Sequence, residues 1–147
     1  SDLYLNAERY LYTWNDESGD KELGENIAQL TGLPVTTNVK GVRIEAGYWR
    51  KANQIHNWFV NNVQDGKDEC HEHDVSREQL TDLKQLCEKV LANNSLAESL
   101  LPISKGFFFG SDTYDQWYFD NLEDTIKIID DALALPEQWD FTYRSSW

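Results

Sequence analysis

Long hydrophobic runs are missing from this sequence. No stretch of eighteen consecutive apolar residues occurs, and a membrane-spanning helix needs about that many. The first fourteen residues, SDLYLNAERYLYTW, are polar and mixed in charge, unlike a secretory signal peptide. Both absences predict a cytoplasmic protein with no membrane partner.

Cysteines are few in this sequence, and the common catalytic motifs are absent. The only cysteines are Cys70 and Cys87. Without an export signal, two reduced thiols are the expected state, and a disulfide between them is the alternative. No G-x-S-x-G, P-loop, G-x-G-x-x-G or H-E-x-x-H motif is present. These absences favour a protein that is not an enzyme, and no cofactor is expected.

Basic residues are few compared with acidic ones. The chain has 13 Lys and Arg against 26 Asp and Glu, which gives a formal net charge of -13. Because phosphate backbones are bound through Lys and Arg, direct nucleic-acid binding is not expected, and the negative field favours a basic partner. The acidic excess is concentrated in residues 111–147, which contain nine acidic and two basic residues and have a local net charge of −7.

Hydrophobic periodicity outlines the first half of the chain. Apolar residues three and four positions apart predict amphipathic helices over residues 3–14 and from about residue 21 to 30. Alternating apolar residues predict a small β-hairpin within 35–44, with its turn at Lys40 and Gly41. The same helical period returns over residues 48–63 and predicts a broad-faced, mostly buried helix there.

The second half carries a stronger local signal. Ser76 and Gln79 have the spacing of a capping box, which predicts a helix from Arg77 to about Leu91. A short helical turn is expected over 94–101. A last helix is expected over 114–135, where Pro136 ends it.

These elements predict one α+β domain over residues 1–147, mostly helical with a small β-hairpin. The apolar run Phe107–Phe109 is a candidate third strand. Residues 136–147 form an aromatic tail that is expected to pack on the domain or on a partner. Its aromatic residues are Trp139, Phe141, Tyr143 and Trp147.

The stretch GYWRKANQIHNWFV, residues 47–60, raises the question of a ligand site. Aromatic rings can stack on a base or ring while cations hold a phosphate. This alternative function, a nucleotide or small-ligand binder or a small enzyme, would use Trp49, Arg50, Lys51, His56, Tyr114 and Trp117. The competing interpretation is a core helix in which His56 is a hydrogen-bonded core residue and the basic groups pair with acids.

Metal-ligand residue types occur together at residues 70–73. Cys70, His71 and His73 are the weak candidates for a zinc site. Their spacing does not match the usual finger or ribbon, and no second cysteine pair completes a tetrahedron. A polar surface loop without metal is therefore the prediction.

The predicted last helix carries a row of acidic residues on its solvent side. Such a row imitates the charge of a nucleic-acid backbone and can enter the basic groove of a nucleic-acid enzyme. A merely solvated helix face is the competing interpretation. The candidate partner-binding residues are Asp112, Asp115, Asp120, Glu123, Asp124, Asp130 and Asp131.

Two strings, YWRKANxIHxWFV and GFFFGSxxYD, resemble an uncharacterised family of small acidic proteins encoded in phage and prophage genomes. The resemblance covers about residues 45–133. It implies an accessory protein of the host cytoplasm that binds and inhibits a basic host protein, for example one of a defence or nucleic-acid-processing complex. It assigns no function to any individual residue.

Overall fold

A computed structural model describes residues 2–14, 19–104 and 113–146. The predicted α+β class is confirmed, because the described chain contains helices and one four-stranded antiparallel sheet with strand order β2-β1-β4-β3. The elements are β1 (Asp2–Tyr10), α1 (Asp20–Leu30), β2 (Gly41–Arg50), α2 (Asn53–Asn62), β3 (His73–Val75), α3 (Arg77–Ala92), a 3-10 turn (Asn94–Leu96), α4 (Ala97–Leu100), α5 (Gln116–Leu133) and β4 (Asp140–Ser146).

The chain divides into two compact units. The first comprises Ser1–Ala7 and Glu45–Trp147, and the second is Glu8–Ile44. β1 and β2 each contribute residues to both units. The single domain expected over residues 1–147 stays a prediction.

The core of the first unit joins alternate residues of the sheet to the inner faces of α2, α3 and α5. The ring of Phe59 lies flat on that of Tyr143, with centroids 3.8 Å apart and planes 4° apart. The indole Nε1 of buried Trp49 donates a hydrogen bond to Thr125 Oγ1 at 2.8 Å. Aromatic packing and satisfied polar groups therefore connect α2, α5 and two strands within one core.

A glycine sets the distance between β2 and α5. A Cβ added at Gly47 would lie 2.3 Å from Cγ2 of Ile128. That contact is far inside van der Waals distance, so only a residue without a side chain fits at this place in the strand.

The capping box at the start of α3 is confirmed. Ser76 Oγ accepts from the Gln79 amide, and the Gln79 side chain accepts from the Ser76 amide. The next residue, Arg77, donates to three carbonyl oxygens at and beyond the end of α5, those of Leu133, Pro136 and Trp139. A cation thus satisfies carbonyls that the helix end leaves unpaired.

The helix predicted over residues 3–14 is wrong. That segment forms β1, in which Leu3, Leu5 and Ala7 are buried at alternate positions. The spacing of the apolar and aromatic residues fits both the two-residue period of a strand and the three-to-four-residue period of a helix. Local periodicity therefore could not decide between the two conformations. The strand forms because alternate residues are buried in the sheet.

The hairpin predicted within residues 35–44 is also wrong. Residues 33–40 contain no strand, and β2 begins at Gly41 and continues to Arg50. The next helix begins later than predicted, because residues 47–50 belong to β2. Lys51 then adopts a left-handed conformation with φ 53° before α2 begins at Asn53.

The other predicted helices are confirmed. Segments 21–30, 77–91 and 114–135 form α1, α3 and α5, and segment 94–101 forms the 3-10 turn with α4.

The second unit is held by a buried carboxylate. Asp20, at the start of α1, accepts from Arg9 Nη2 and from the Tyr12 amide, both at 2.9 Å. This unit also exposes large apolar side chains on its surface: Tyr10, Tyr12, Trp14, Leu30, Leu33, Val35 and Ile44.

Three predicted features fall outside the described residues. They are the strand at Phe107–Phe109, the candidate Asp112 and the terminal Trp147. The rest of the predicted aromatic tail is described: Phe141 and Tyr143 are buried in β4, and Trp139 is partly buried before it.

Candidate functional site

The acidic residues of α5 share one face of the helix. Asp120, Glu123, Asp124, Asp130 and Asp131 are all exposed. At 3.6 residues per turn their directions fall within an arc of about 120°, and the row extends about 16 Å along the helix axis. We call these five residues the α5 acidic face. Its opposite side is buried through Tyr118, Asn121, Leu122, Thr125, Ile129 and Ala132.

Two lysines lie at this face. Lys127 is exposed within the same arc. Lys84 of α3 contacts Asp130 at 2.5 Å, and this hydrogen bond raises the pKa of the Lys84 ammonium. One of the five carboxylates is therefore paired across the α3–α5 contact. The other four form no ion pair with a Lys or Arg of the described residues.

Asp115 has a different role from the α5 acidic face. It is the N-cap of α5, where its Oδ1 accepts from the Tyr118 amide at 3.1 Å. A carboxylate at a helix N-terminus satisfies a free amide and favours the helix dipole. The predicted partner-binding set therefore separates into one helix cap and five exposed carboxylates, with Asp112 outside the described residues.

The alternative ligand site is divided between core and surface. Trp49 and His56 are buried, with 3% and 2% of their surface exposed. Arg50 and Lys51 are exposed at the junction of β2 and α2. Because the Trp49 ring is enclosed in the core, it offers no face on which a ligand could stack.

Tyr114 and Trp117, the remaining two residues of that set, lie near the start of α5 and are exposed. The Tyr114 hydroxyl oxygen accepts from the Ile103 amide at 3.3 Å. Its ring packs edge-on against Tyr118, with centroids 5.0 Å apart. Tyr114 thus helps to hold the segment before residue 105 against α5.

His56 lies at the centre of a buried polar network. Its Nδ1 is 2.7 Å from the hydroxyl of Tyr143, and its Nε2 is 2.7 Å from Oδ1 of Asp68. Burial raises the pKa of the Tyr143 phenol well above its usual value, so this hydroxyl keeps its proton. Burial also lowers the pKa of His56, although Asp68 opposes the change.

These pKa directions fix the hydrogen-bond roles. An ionised carboxylate can only accept, so Nε2 carries the imidazole proton and donates to Asp68. Nδ1 of the neutral ring then accepts from the Tyr143 hydroxyl. With both ring nitrogens engaged, His56 has neither a lone pair nor a proton available for a substrate. The structure agrees with a hydrogen-bonded core histidine.

A tight loop after α2 brings Asp68 to His56. Asp65 and Gly66 adopt left-handed conformations with φ 53° and 78°, which turns the chain back. The Gln64 side chain then donates to the carbonyl oxygens of Lys67 and Glu69. These bonds hold the chain on both sides of Asp68.

Carboxamides on α2 hold a second segment in place. Asn53 exchanges two hydrogen bonds with the backbone of Ser104, at 2.8 and 2.9 Å. Asn57 Nδ2 donates to the carbonyl oxygen of Pro102 at 3.1 Å. Gln54, which is also buried, donates to the Tyr118 carbonyl oxygen at 3.1 Å. These roles of Asn53 and Asn57 could not be predicted from the sequence, because no local pattern shows which backbone groups a carboxamide will meet.

A cavity of about 290 Å³ opens beside the His56 network. Its described lining consists of His56, Asn57, Val60, Asn61, Gly66, Asp68 and Ser104. Asp68 and Ser104 were missed as site residues in the sequence. Only their approach to α2 in space gives them a role, and no spacing in the sequence signals it.

The loop with metal-ligand residue types has an exposed cysteine. Cys70 and His71 are exposed, and His73 Nε2 lies 4.0 Å from Glu69 Oε2. Within the described residues no three His, Cys, Asp or Glu side chains are placed to hold a metal ion together. Both thiols are free, and burial raises the pKa of Cys87 to about 12, which makes this thiol unreactive.

Comparison of the chain with protein-family models, curated proteins and solved structures gave no match. The similarity to small acidic phage proteins therefore stays a prediction. Among the helices of residues 2–14, 19–104 and 113–146, none has the length and apolar content to cross a lipid bilayer.

Proposed function

We propose that this protein is a non-enzymatic binding protein that docks a basic partner protein on the α5 acidic face. The observation that carries the proposal is the alignment of five exposed carboxylates within one arc of a single helix. Such a surface steers a cationic partner over a distance of about one Debye length, roughly 8 Å at physiological salt.

The position of these charges along α5 supports a role in binding. Asp130 and Asp131 lie in the last turn, and α5 has no basic residue there. Negative charge at a helix C-terminus opposes the helix dipole. Asp130 pairs with Lys84, but Asp131 forms no ion pair with a Lys or Arg of the described residues, so this carboxylate is better explained by a cationic partner.

The environment of His56 supports a function other than catalysis. A general base must present a lone pair to its substrate. In His56 that lone pair is occupied by Tyr143, and the ring proton by Asp68. The residue that most suggested chemistry in the sequence is thereby better explained as part of the core.

The proposed partner is a basic protein or complex of the host cell, in keeping with the similarity to phage accessory proteins. A protein that normally binds nucleic acid is the preferred class, because its cationic groove already accepts a row of anions. In such a groove the α5 acidic face would act as a nucleic-acid mimic and inhibitor.

A competition assay tests this proposal. The four-fold variant Asp120→Asn, Glu123→Gln, Asp124→Asn and Asp131→Asn removes most of the α5 acidic face. Host proteins captured by the unchanged protein at low salt, and released by added nucleic acid, should not be captured by this variant. Their affinity for the unchanged protein should fall steeply as salt rises.

The matched control removes the same number of charges elsewhere. The exposed residues Glu22, Glu25, Glu88 and Glu98 are changed to Gln, and this variant should still capture the same proteins. Equal loss in both variants would mean that bulk charge alone attracts them. Capture that does not respond to salt would contradict the electrostatic basis of the proposal.

A further inference from the structure

The wall of the cavity beside the His56 network contains both hydrogen-bond donors and acceptors. Several donors in its wall are already used. Asn57 Nδ2 donates to the Pro102 carbonyl oxygen, Asn61 Nδ2 donates to Asn57 Oδ1, and the Gly66 amide donates to the Val60 carbonyl oxygen. The proton on His56 Nε2 is directed to Asp68.

Acceptors in the same wall remain available. Asp68 uses Oδ1 for His56, while its Oδ2 has no hydrogen-bond partner among the described residues. The Asp68 side chain is 22% exposed, so it reaches the cavity surface. Asn61 Oδ1 likewise accepts no bond within the described part of the chain. The cavity thus offers a carboxylate oxygen and an amide oxygen to any group that supplies N–H donors.

The charge around the cavity has the sign that such a donor requires. Residues 65–74 contain five acids and one lysine. The neutral His56 adds no positive charge, because burial lowers its pKa. Val60 provides an apolar part of the wall, where the methylene groups of a ligand can pack.

We infer that this cavity binds a primary ammonium or guanidinium group carried on a short aliphatic chain. Asp68 Oδ2 is its principal acceptor and Asn61 Oδ1 the second, and charge-assisted hydrogen bonds of this kind are the strong ones. The group can belong to a free amine or to a lysine or arginine side chain of another protein. This site is separate from the α5 acidic face, so either proposal can fail without the other.

Direct titration tests the inference. Agmatine and n-butylammonium are titrated into the protein while the backbone amide resonances of residues 56–68 are followed by NMR. Saturable shifts in this segment are expected with both cations and not with n-butanol, which lacks the charge. A short peptide with blocked ends, whose only charge is one arginine side chain, is titrated in the same way; it distinguishes a side-chain site, which binds it, from a site for free amines, which does not.

Two variants in the same loop separate the site from general attraction. Asp68→Asn keeps an acceptor for His56 but removes the charge, and should weaken agmatine binding by about tenfold or more. Asp65→Asn removes an equal charge from an exposed position outside the cavity wall and should leave binding within about twofold. Asn remains compatible with the left-handed backbone at position 65.

A third variant keeps the test decisive if Asp68→Asn does not fold. Asn61→Asp adds a carboxylate at the second acceptor and should tighten agmatine binding. The inference is overturned if no saturable binding is found, if n-butanol binds as well as n-butylammonium, or if Asp65→Asn weakens binding as much as Asp68→Asn.

Discussion

Two helices of the first unit use their polar residues in opposite ways. In α2, seven of ten residues are buried, and they include the polar Asn53, Gln54 and His56. Each of these three side chains bonds to a group in another segment. In α5, the acidic side chains lie on one exposed arc, and buried residues occupy the opposite side.

The difference follows from the chemistry of the side chains. A carboxamide or a neutral imidazole carries no net charge, so burying it costs little once its donors and acceptors are paired. Burying an ionised carboxylate requires a charged partner or several donors. Polar residues in α2 can therefore connect segments of the core, whereas the carboxylates of α5 stay in water and remain accessible to another molecule.

The largest effect expected from this comparison is at His56. His56→Ala leaves the Tyr143 hydroxyl and the Asp68 carboxylate without their shared partner and creates a cavity. The free energy of unfolding should fall by about 2–4 kcal/mol, measured by urea denaturation. The exposed residue Asn61, on the same helix, provides the control, and Asn61→Ala should change stability by less than about 0.5 kcal/mol. Similar losses in both variants would contradict the contrast between buried and exposed polar residues of α2.

The next effect concerns the carboxamide that holds Ser104. Asn53→Ala removes two hydrogen bonds to the Ser104 backbone and should lower the free energy of unfolding by about 1–3 kcal/mol. Amide hydrogen exchange should accelerate at Ser104, whose amide donates to Asn53. Asn62→Ala is the control for loss of a carboxamide from α2, because Asn62 is exposed and its amide group bonds only within its own helix. Unchanged exchange at Ser104 in Asn53→Ala would show that other contacts hold the segment.

The His56 network also predicts a dependence on pH. Burial lowers the pKa of His56 in the folded state, so the unfolded chain binds more protons below its own pKa of about 6.5. The contribution of this group is present in full above about pH 6.5 and declines as pH falls from there towards the folded-state pKa. The stability difference between the unchanged protein and His56→Ala should therefore shrink from pH 7.5 to pH 5.5. A difference that grows on acidification would mean that pairing of Asp68 with protonated His56 outweighs burial.

Local signals predicted α3 and α5 well. The α3 boundary follows from the hydrogen bonds between Ser76 and Gln79, and these form between residues three positions apart. The inner side of α5 follows from apolar spacing, because a helix with one charged face can bury only the other. The chemistry of both features lies within a few residues of sequence, which is why they could be read from it.

Sheet pairing and the candidate sites could not be predicted in the same way. β1 pairs with β2 and β4, whose residues lie far along the chain, and its apolar residues also fit a helical period. The His56 network joins residues 12 and 87 positions apart, to Asp68 and Tyr143 respectively. Such contacts depend on the tertiary fold, and no local pattern in a single sequence predicts them.

The smallest effect tests why carboxylates occur at the end of α5. Asp131→Asn removes a negative charge from the last turn, where the helix dipole disfavours it, and should raise the free energy of unfolding by about 0.3–0.5 kcal/mol. Asp120→Asn removes the same charge from a position inside the helix, beyond its first and last turns, where the dipole has little effect, and should give no increase. Urea denaturation at low ionic strength measures the free energy of unfolding of both variants.

A gain in stability at Asp131 alone would show that the chain keeps this carboxylate against its own stability, as expected for a binding residue. A loss at Asp131 would indicate instead that the carboxylate has a structural role, and would weaken the proposal that the α5 acidic face is available for docking.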